Sequence, residues 1–195
     1  DLLTVITDRF YPASEKCGEA KAIALYISKA FDKVWHSGLL LKLSSYGVSG
    51  RVFKIIESFL TNRSKKFVLD GQHYSSFPVT SGVPQGSILG PILFLIYIND
   101  LPETLTSKVA LFADDTTIYS CLDKKPTLSD CLEEVSELEN DLTSATAWGS
   151  QWLVNFNSDK TQYFSANRYC NNLHLPIFMN NNIIDESSSL RFLAL

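Results

Sequence analysis

Two adjacent aspartates, Asp114 and Asp115, lie between two short β-prone runs, Lys108–Ala113 and Thr116–Ser120, and no other stretch constrains the fold so tightly. Each run suits a strand, with Asp114-Asp115 as the turn between them. Val109–Phe112 is apolar at consecutive positions, which predicts a strand covered on both faces. A sheet buried on two sides then carries two carboxylates at its rim. Adjacent like charges repel, and a neutralising cation makes them tolerable. Mg²⁺ suits such a place, being hard, oxygen-seeking and usually shared between a few carboxylates and substrate phosphates. Asp is also a common turn residue, so an ordinary hairpin turn accounts for the same pair.

Two strings upstream narrow the choice. One is Ile27-Ser28-Lys29-Ala30-Phe31-Asp32-Lys33-Val34-Trp35-His36, and the other is Ser81-Gly82-Val83-Pro84-Gln85-Gly86-Ser87-Ile88-Leu89-Gly90-Pro91. Followed by Phe112-Ala113-Asp114-Asp115, they resemble the successive core motifs of reverse transcriptases, specifically those of non-LTR (LINE-type, jockey-like) retrotransposons. The likeness runs in order from about Leu25 to Leu195. A group II intron or telomerase-type enzyme is the nearest alternative among polymerases, and the string from Ile27 to His36 favours the retrotransposon branch.

The resemblance implies an α+β fold, a right-hand polymerase palm with partial fingers, its mainly antiparallel sheet packed on helices and its thumb absent. Residues 1–20 and 48–79 would be fingers and the fingers–palm boundary, 21–47 and 80–189 palm, and 190–195 the start of the primer-grip strand. The implied activity is RNA-directed DNA synthesis from deoxynucleoside triphosphates on an RNA template and a DNA primer. It would use two Mg²⁺ ions, with Mn²⁺ as an alternative. Asp114 and Asp115 would be the catalytic metal ligands, Asp114 the more direct, with the backbone carbonyl of Ile27 within reach of a metal. The family carries a further catalytic aspartate at the position held here by Tyr26. A phenol titrates near pH 10 and brings no charge to Mg²⁺ at neutral pH. Asp32 stands six residues on and cannot simply take its place, so this copy is expected to be impaired. A non-enzymatic nucleic-acid-binding remnant with the same fold is the competing expectation.

Further roles follow residue by residue. Phe31 matches the aromatic gate under the nucleotide sugar, although core packing alone would explain it. Gln85 and Gly86 match the loop that meets the nucleotide and the template–primer pair. A generic phosphate loop is the weaker account, for there is no GxxxxGK[ST] pattern. Lys160 matches a lysine near the nucleotide phosphates, and an exposed turn lysine explains it equally. Arg63, Lys65 and Lys66 form the densest basic patch, suited to nucleic-acid phosphates or simply to water. Primer-grip strands of the family usually have Gly where Ala194 stands.

The remaining chain gives its elements by periodicity. Leu2–Phe10 has a helical stripe closed by Pro12 and Gly18; Lys21–Ile27 suits a buried strand, and Ser28–Val34 a turn leading into helix. Leu39–Tyr46 and Arg51–Leu60 read as core helices, the second with Val52, Ile55, Ile56, Phe59 and Leu60 on one face. Asp70-Gly71 within Phe67–Phe77 signals a hairpin. Ser87–Asn99 is a helix apolar nearly all round and therefore expected to be buried. Thr127–Trp148 is amphipathic, with Thr127 and Asp130 resembling a capping box. Its acids Glu133, Glu134, Glu137, Glu139 and Asp141 fall outside the apolar stripe and are expected on a solvated face. Gln151–Ser165 reads as strand–turn–strand around Asn157–Lys160, and Asn180-Asn181-Asn182 as the tip of another hairpin.

With 195 residues, 45% of them hydrophobic, the chain suffices for one packed core. A net charge of −4 argues against a general polyanion binder. Cys17, Cys121, Cys131 and Cys170 show neither CxxC nor zinc spacing and read as reduced thiols. The longest apolar run, Ile88–Ile98, holds eleven residues, against the roughly twenty that a membrane span needs. No signal peptide is visible, so an intracellular protein, cytoplasmic and nuclear, is expected. The sequence starts without Met and stops inside an apolar run, reading as a fragment whose polyprotein would also carry an endonuclease and a thumb.

Overall fold

A computed structural model of the chain describes residues 4, 7–8, 10–12, 18–113, 115–122, 125–167 and 175–187. In order the elements are β1 (Glu19–Tyr26), α1 (His36–Ser45), α2 (Gly50–Leu60), β2 (Ser64–Leu69), β3 (Gln72–Pro78), α3 (Leu89–Ile98), a 3₁₀ turn at Leu101–Thr104, β4 (Lys108–Phe112), β5 (Asp115–Leu122), α4 (Leu128–Trp152), β6 (Gln162–Asn167), β7 (Phe178–Met179) and β8 (Asn182–Ile183). They fall into two units. The first is built from Asp1–Ser28, Asp100–Gln151 and Asn155–Leu195, the second from Lys29–Asn99 with Trp152–Val154. The mixture of helices and antiparallel sheets agrees with the expected class. No helix among the described residues is long and apolar enough to cross a membrane.

The first unit is organised on an antiparallel sheet of order β4-β5-β1-β6. On one face the small Ala20 and Ala22 of β1 leave room for Phe10; that ring stacks on Phe164 at 6.2 Å and meets Tyr119 at 6.3 Å. On the other face β1 offers Glu19 and Lys21 to α4. Lys21 Nζ lies 2.5 Å from Glu134 Oε2 and 2.9 Å from Glu19 Oε2, with all three side chains buried. The helix α4 opens on a reciprocal cap: the Thr127 N–H and hydroxyl donate to Asp130 at 2.7 Å, and the Asp130 N–H donates to the Thr127 hydroxyl at 3.2 Å.

Four expectations about this unit need correction. Glu134 and Asp141 are buried, not solvated. Glu134 holds Lys21, and Asp141 accepts the backbone N–H groups of Thr106 and Ser107 at 2.8 and 2.9 Å. A helical stripe drawn from apolar residues alone misses acids whose partners come from distant sequence. Second, β4 is half-covered, and Phe112 is exposed; among the described residues β4 is an edge strand with a neighbour on one side only. Third, Asp115 is the first residue of β5, paired with Phe112, rather than part of the turn. Fourth, α4 runs on to Trp152, so Gln151–Ser165 contributes one strand, β6, with only a single bridge from Phe156 to Ile27 before it. The Asn-rich hairpin is present as β7–β8, with Asn180 and Asn181 at φ of +51° and +65°. Of the predicted N-terminal helix, Thr4, Thr7, Asp8 and Phe10–Pro12 are helical. Cys131 and Cys121 form no disulfide. Cys17, Cys170, Asp114 and Leu190–Leu195 lie outside the described residues.

In the second unit α1 carries Lys42, whose buried ammonium donates to the Tyr97 carbonyl of α3 at 2.7 Å and stands 3.8 Å from the centre of the Trp152 indole. The β2–β3 hairpin closes through Asp70-Gly71, at φ of +50° and +77°, as that dipeptide predicts. Neither the burial expected of Ser87–Asn99 nor the buried face expected of Arg51–Leu60 is complete. Gly90, Leu93, Phe94, Tyr97 and Ile98 of α3 are buried, while Ile88, Leu89, Ile92 and Leu95 are exposed. In α2 only Ile56 and Leu60 are buried, and Val52 and Ile55 are exposed. Apolar composition all round a helix does not say how many of its sides acquire neighbours, and here each has one covered side.

Candidate functional site

In the first unit, Tyr26 at the end of β1 is the direct antiparallel partner of Asp115 at the start of β5. Cross-strand partners project to the same face, so phenol and carboxylate are neighbours. The backbone of Tyr26 is fixed from the other side as well. Its N–H donates to Thr161 Oγ1 at 3.3 Å, and its carbonyl accepts the Asn157 N–H at 2.9 Å. Asn157 then shapes the turn, its side-chain oxygen accepting the Asp159 N–H at 2.9 Å and its carbonyl the Lys160 N–H at 3.3 Å. That turn brings Lys160 Nζ to 4.7 Å from the centre of the Tyr26 ring, within the range of a cation–π contact. Tyr26, Asp115 and Lys160 line a cavity of about 580 Å³ together with Asp159, Thr161, Gln162, Asp185 and Glu186. Ile27 is buried, and Ser28 N–H donates to the Asn155 carbonyl at 2.8 Å.

Two dications need several oxygen ligands of negative charge. Among the described residues no group of three or more His, Cys, Asp or Glu side chains is arranged to hold a metal ion. Asp115 stands opposite the Tyr26 phenol, and the Lys160 ammonium lies 4.7 Å from the centre of that ring. Of the two acids expected to hold metal, Asp115 is described here and Asp114 lies outside the described residues.

In the second unit the other predicted residues gather round a cavity of about 400 Å³. Arg63 and Lys65 of the hairpin line it with Asp32 and with Ser81–Gln85. Lys66 is exposed and does not line it; neighbouring strand residues point to opposite faces. Arg63 also lies 5.9 Å from the centre of the Phe59 ring. Gln85 is exposed, and its Nε2 donates to Asp32 Oδ1 at 3.0 Å. Gly86 has φ of +79° and open space around it. Phe31 is half-buried with its ring 4.7 Å from that of Phe94. Tyr26, Asp115, Ile27 and Lys160 thus belong to one unit, and Phe31, Arg63, Lys65, Lys66, Gln85 and Gly86 to the other.

Sequence reasoning did not single out Asp159, Asp185 or Glu186 as cavity residues. The last two arrive because β6 pairs with the chain after β8: Tyr163 N–H donates to the Asp185 carbonyl at 3.2 Å, and Ser187 N–H to the Tyr163 carbonyl at 2.7 Å. No local pattern marks such an approach.

The sequence profile of the family described as "Reverse transcriptase (RNA-dependent DNA polymerase)" matches residues 10–195. Over 144 residues, 70% of the chain, it is 35% identical to the RNA-directed DNA polymerase from mobile element jockey of Drosophila melanogaster, covering 15% of that protein. It is 29% identical over 188 residues, 89% of the chain, to the probable RNA-directed DNA polymerase from transposon BS of the same species, covering 19% of it. The probable RNA-directed DNA polymerase from transposon X-element, also of that species, is 31% identical over 157 residues, 77% of the chain and 16% of the relative. The chain thus spans less than a fifth of the length of each of these relatives.

Proposed function

The chain belongs to the reverse transcriptase family, and on that premise we propose that it is a portion of a non-LTR retrotransposon polymerase whose nucleotidyl-transfer centre is impaired by Tyr26. In this reading residues 21–47 and 80–189 are palm, 1–20 and 48–79 are fingers and the fingers–palm boundary, and 190–195 begin the primer-grip strand. The ancestral reaction joins a deoxynucleotide to a primer 3′-hydroxyl on an RNA template, with pyrophosphate as the leaving group. Mg²⁺, or Mn²⁺ in its place, would supply the charge that activates the nucleophile and steadies the leaving group. Asp114, Asp115 and the carbonyl of Ile27 are the groups assigned to the metals. Phe31, Gln85, Gly86 and Lys160 are assigned to the nucleotide, and Arg63, Lys65 and Lys66 to nucleic-acid phosphates. Its work is placed inside the cell, in cytoplasm and nucleus, as part of a longer polyprotein with an endonuclease and a thumb.

The observation that carries the impairment is the pairing of Asp115 with Tyr26 under the charge of Lys160. Losing one preorganised electrostatic group costs on the order of 10²–10³ in rate, and the loss of a shared metal ligand should cost no less. The test is primer extension on an RNA template with Mg²⁺, using the unsubstituted chain and Tyr26→Asp, each completed with the thumb of a close relative. Extension by Tyr26→Asp alone is expected. Equal extension by both would refute the impairment. A second reading, a nucleic-acid-binding scaffold, draws on the exposed Lys65 and Lys66 of the hairpin. It predicts no Mg²⁺-dependent change in nucleotide binding for either chain.

A further inference from the structure

We propose that Asp32 is a positioning residue that fixes the orientation of the Gln85 amide and ties it to the Phe31 segment, so that Phe31 and Gln85 meet a nucleotide sugar as one rigid pair. The inference deepens the reading above, resting on its assignment of those two residues to the nucleotide. An amide side chain can present either its oxygen or its NH₂ group to a neighbour, and a carboxylate only accepts. The 3.0 Å bond to Asp32 Oδ1 therefore commits Nε2 of Gln85 inward and leaves Oε1 to accept from a ligand, such as a sugar hydroxyl.

The surrounding backbone makes this tie rigid. Val83 N–H donates to the Phe31 carbonyl at 2.8 Å, and Gly82 N–H to the Val34 carbonyl at 2.9 Å. The Ser81 hydroxyl donates to the Asp32 carbonyl at 3.1 Å, and the His36 ring nitrogen lies 2.8 Å from the Gly82 carbonyl. The two segments run so close that a Cβ on Gly82 would stand 2.6 Å from the Asp32 oxygen. Phe31 is anchored in turn on Phe94. Within this frame the bond between Asp32 and Gln85 is the one link that is side chain to side chain and exposed. Backbone bonds already hold the segments together, so it adds direction to the amide more than cohesion to the fold. It also faces the cavity that Arg63 and Lys65 line, where a triphosphate would find positive charge.

The substitution that separates orientation from packing is Asp32→Asn. Asn keeps the volume, but its amide can pair with Gln85 in either sense, so the lock is lost. Equilibrium binding of dATP and of ATP is measured on the 195-residue chain, alone and as Asp32→Asn, Gln85→Met and the double variant. Asp32→Asn is expected to weaken dATP binding about tenfold, the worth of one charge-assisted hydrogen bond, and to narrow the preference for dATP over ATP. In the Gln85→Met background the same substitution should change nothing, since it acts through that amide. An equal loss in both backgrounds overturns the proposal, because a merely structural role would produce it. Binding that is indifferent to Asp32→Asn overturns the proposal alone. An unsubstituted chain that binds no nucleotide overturns both the proposal and the reading beneath it.

Discussion

The ammonium of Lys160 stands 4.7 Å from the centre of the Tyr26 ring, and the same tyrosine is the cross-strand partner of Asp115. In the reading proposed above, a position that would hold a metal ligand thus carries a phenol and faces a cation. Tyr26→Asp reverses that balance. Without metal it sets two carboxylates opposite each other, which destabilises an antiparallel pair, so the melting temperature should fall. Mg²⁺ at ten times its dissociation constant adds about 1.4 kcal/mol, or about 3–6 °C for a chain of this size. The unsubstituted chain should not respond. Differential scanning calorimetry with and without Mg²⁺ decides this without any need for activity; an equal Mg²⁺ response in both chains would show that Tyr26 is not what limits the site.

A second prediction concerns the buried charges between β1 and α4. Lys21→Met would leave Glu19 and Glu134 buried without their cation, at a cost of about 3–5 kcal/mol. Glu134→Gln leaves Lys21 paired with Glu19 at 2.9 Å and should cost about 1–3 kcal/mol. Chemical denaturation gives the order, and equal costs would contradict a shared cation. Burial alone would lower the Lys21 pKa, but the bonds and charges of Glu134 and Glu19 outweigh it and hold it above its ordinary value. Burial likewise pushes Tyr163 from 10.0 up to about 12. Both groups keep their proton more tightly in the folded chain. Their stabilisation is complete below the unfolded values and is lost as pH rises through the folded ones, so stability should fall between about pH 10 and 12. Tyr163→Phe should blunt that alkaline fall.

What could be seen in advance was local. Asp70-Gly71 and Asn180-Asn181 state their turns because positive φ is a property of the residues themselves. Thr127 and Asp130 state a helix start because cap and partner are three residues apart. The charged interior was hidden for the opposite reason: Glu134 meets Lys21 across 113 positions and Asp141 meets Thr106 across 35. Which strand becomes an edge is likewise decided by topology, so the apolar run Val109–Phe112 looked central and proved half-covered. The motifs placed the candidate residues in sequence, yet nothing in the spacing foretold that Lys160 would stand over Tyr26 or that Asp32 would bind Gln85.

Asp141 supplies a third prediction, at acid pH. Burial by itself would raise its pKa, but the hydroxyl and backbone donors of Thr106 and Ser107 together hold it below the ordinary value of 3.8. A depressed carboxylate stabilises the fold above its unfolded pKa and ceases to do so as pH falls through the folded value, so this contribution disappears below about pH 4. Asp141→Asn should cost about 1.5–3 kcal/mol near neutrality and flatten the acid limb of the stability curve. Hydrogen exchange at the Thr106 and Ser107 amides, which lead into β4, should quicken in the variant. Unchanged exchange there would mean that β4 is held by other bonds.

The close approach of Gly82 to Asp32 gives a fourth prediction, with an internal control. Gly82 and Gly86 have similar positive φ, +87° and +79°. An alanine at either position therefore meets the same backbone strain, about 1–2 kcal/mol. The two differ in their surroundings: a Cβ at Gly86 meets open space, while one at Gly82 comes to 2.6 Å from the Asp32 carbonyl oxygen and 2.9 Å from its Cα. Those are backbone atoms of a segment held by the bonds from Ser81 to Asp32 and from Val83 to Phe31, and they cannot simply rotate away. Gly82→Ala should therefore cost at least about 1 kcal/mol more than Gly86→Ala in urea denaturation. It should also expose the Ser81–Gly86 loop to limited proteolysis, whereas Gly86→Ala should not. Equal costs for the two substitutions would mean that the loop does not lie against the Asp32 segment, and the tie between Asp32 and Gln85 would lose its frame.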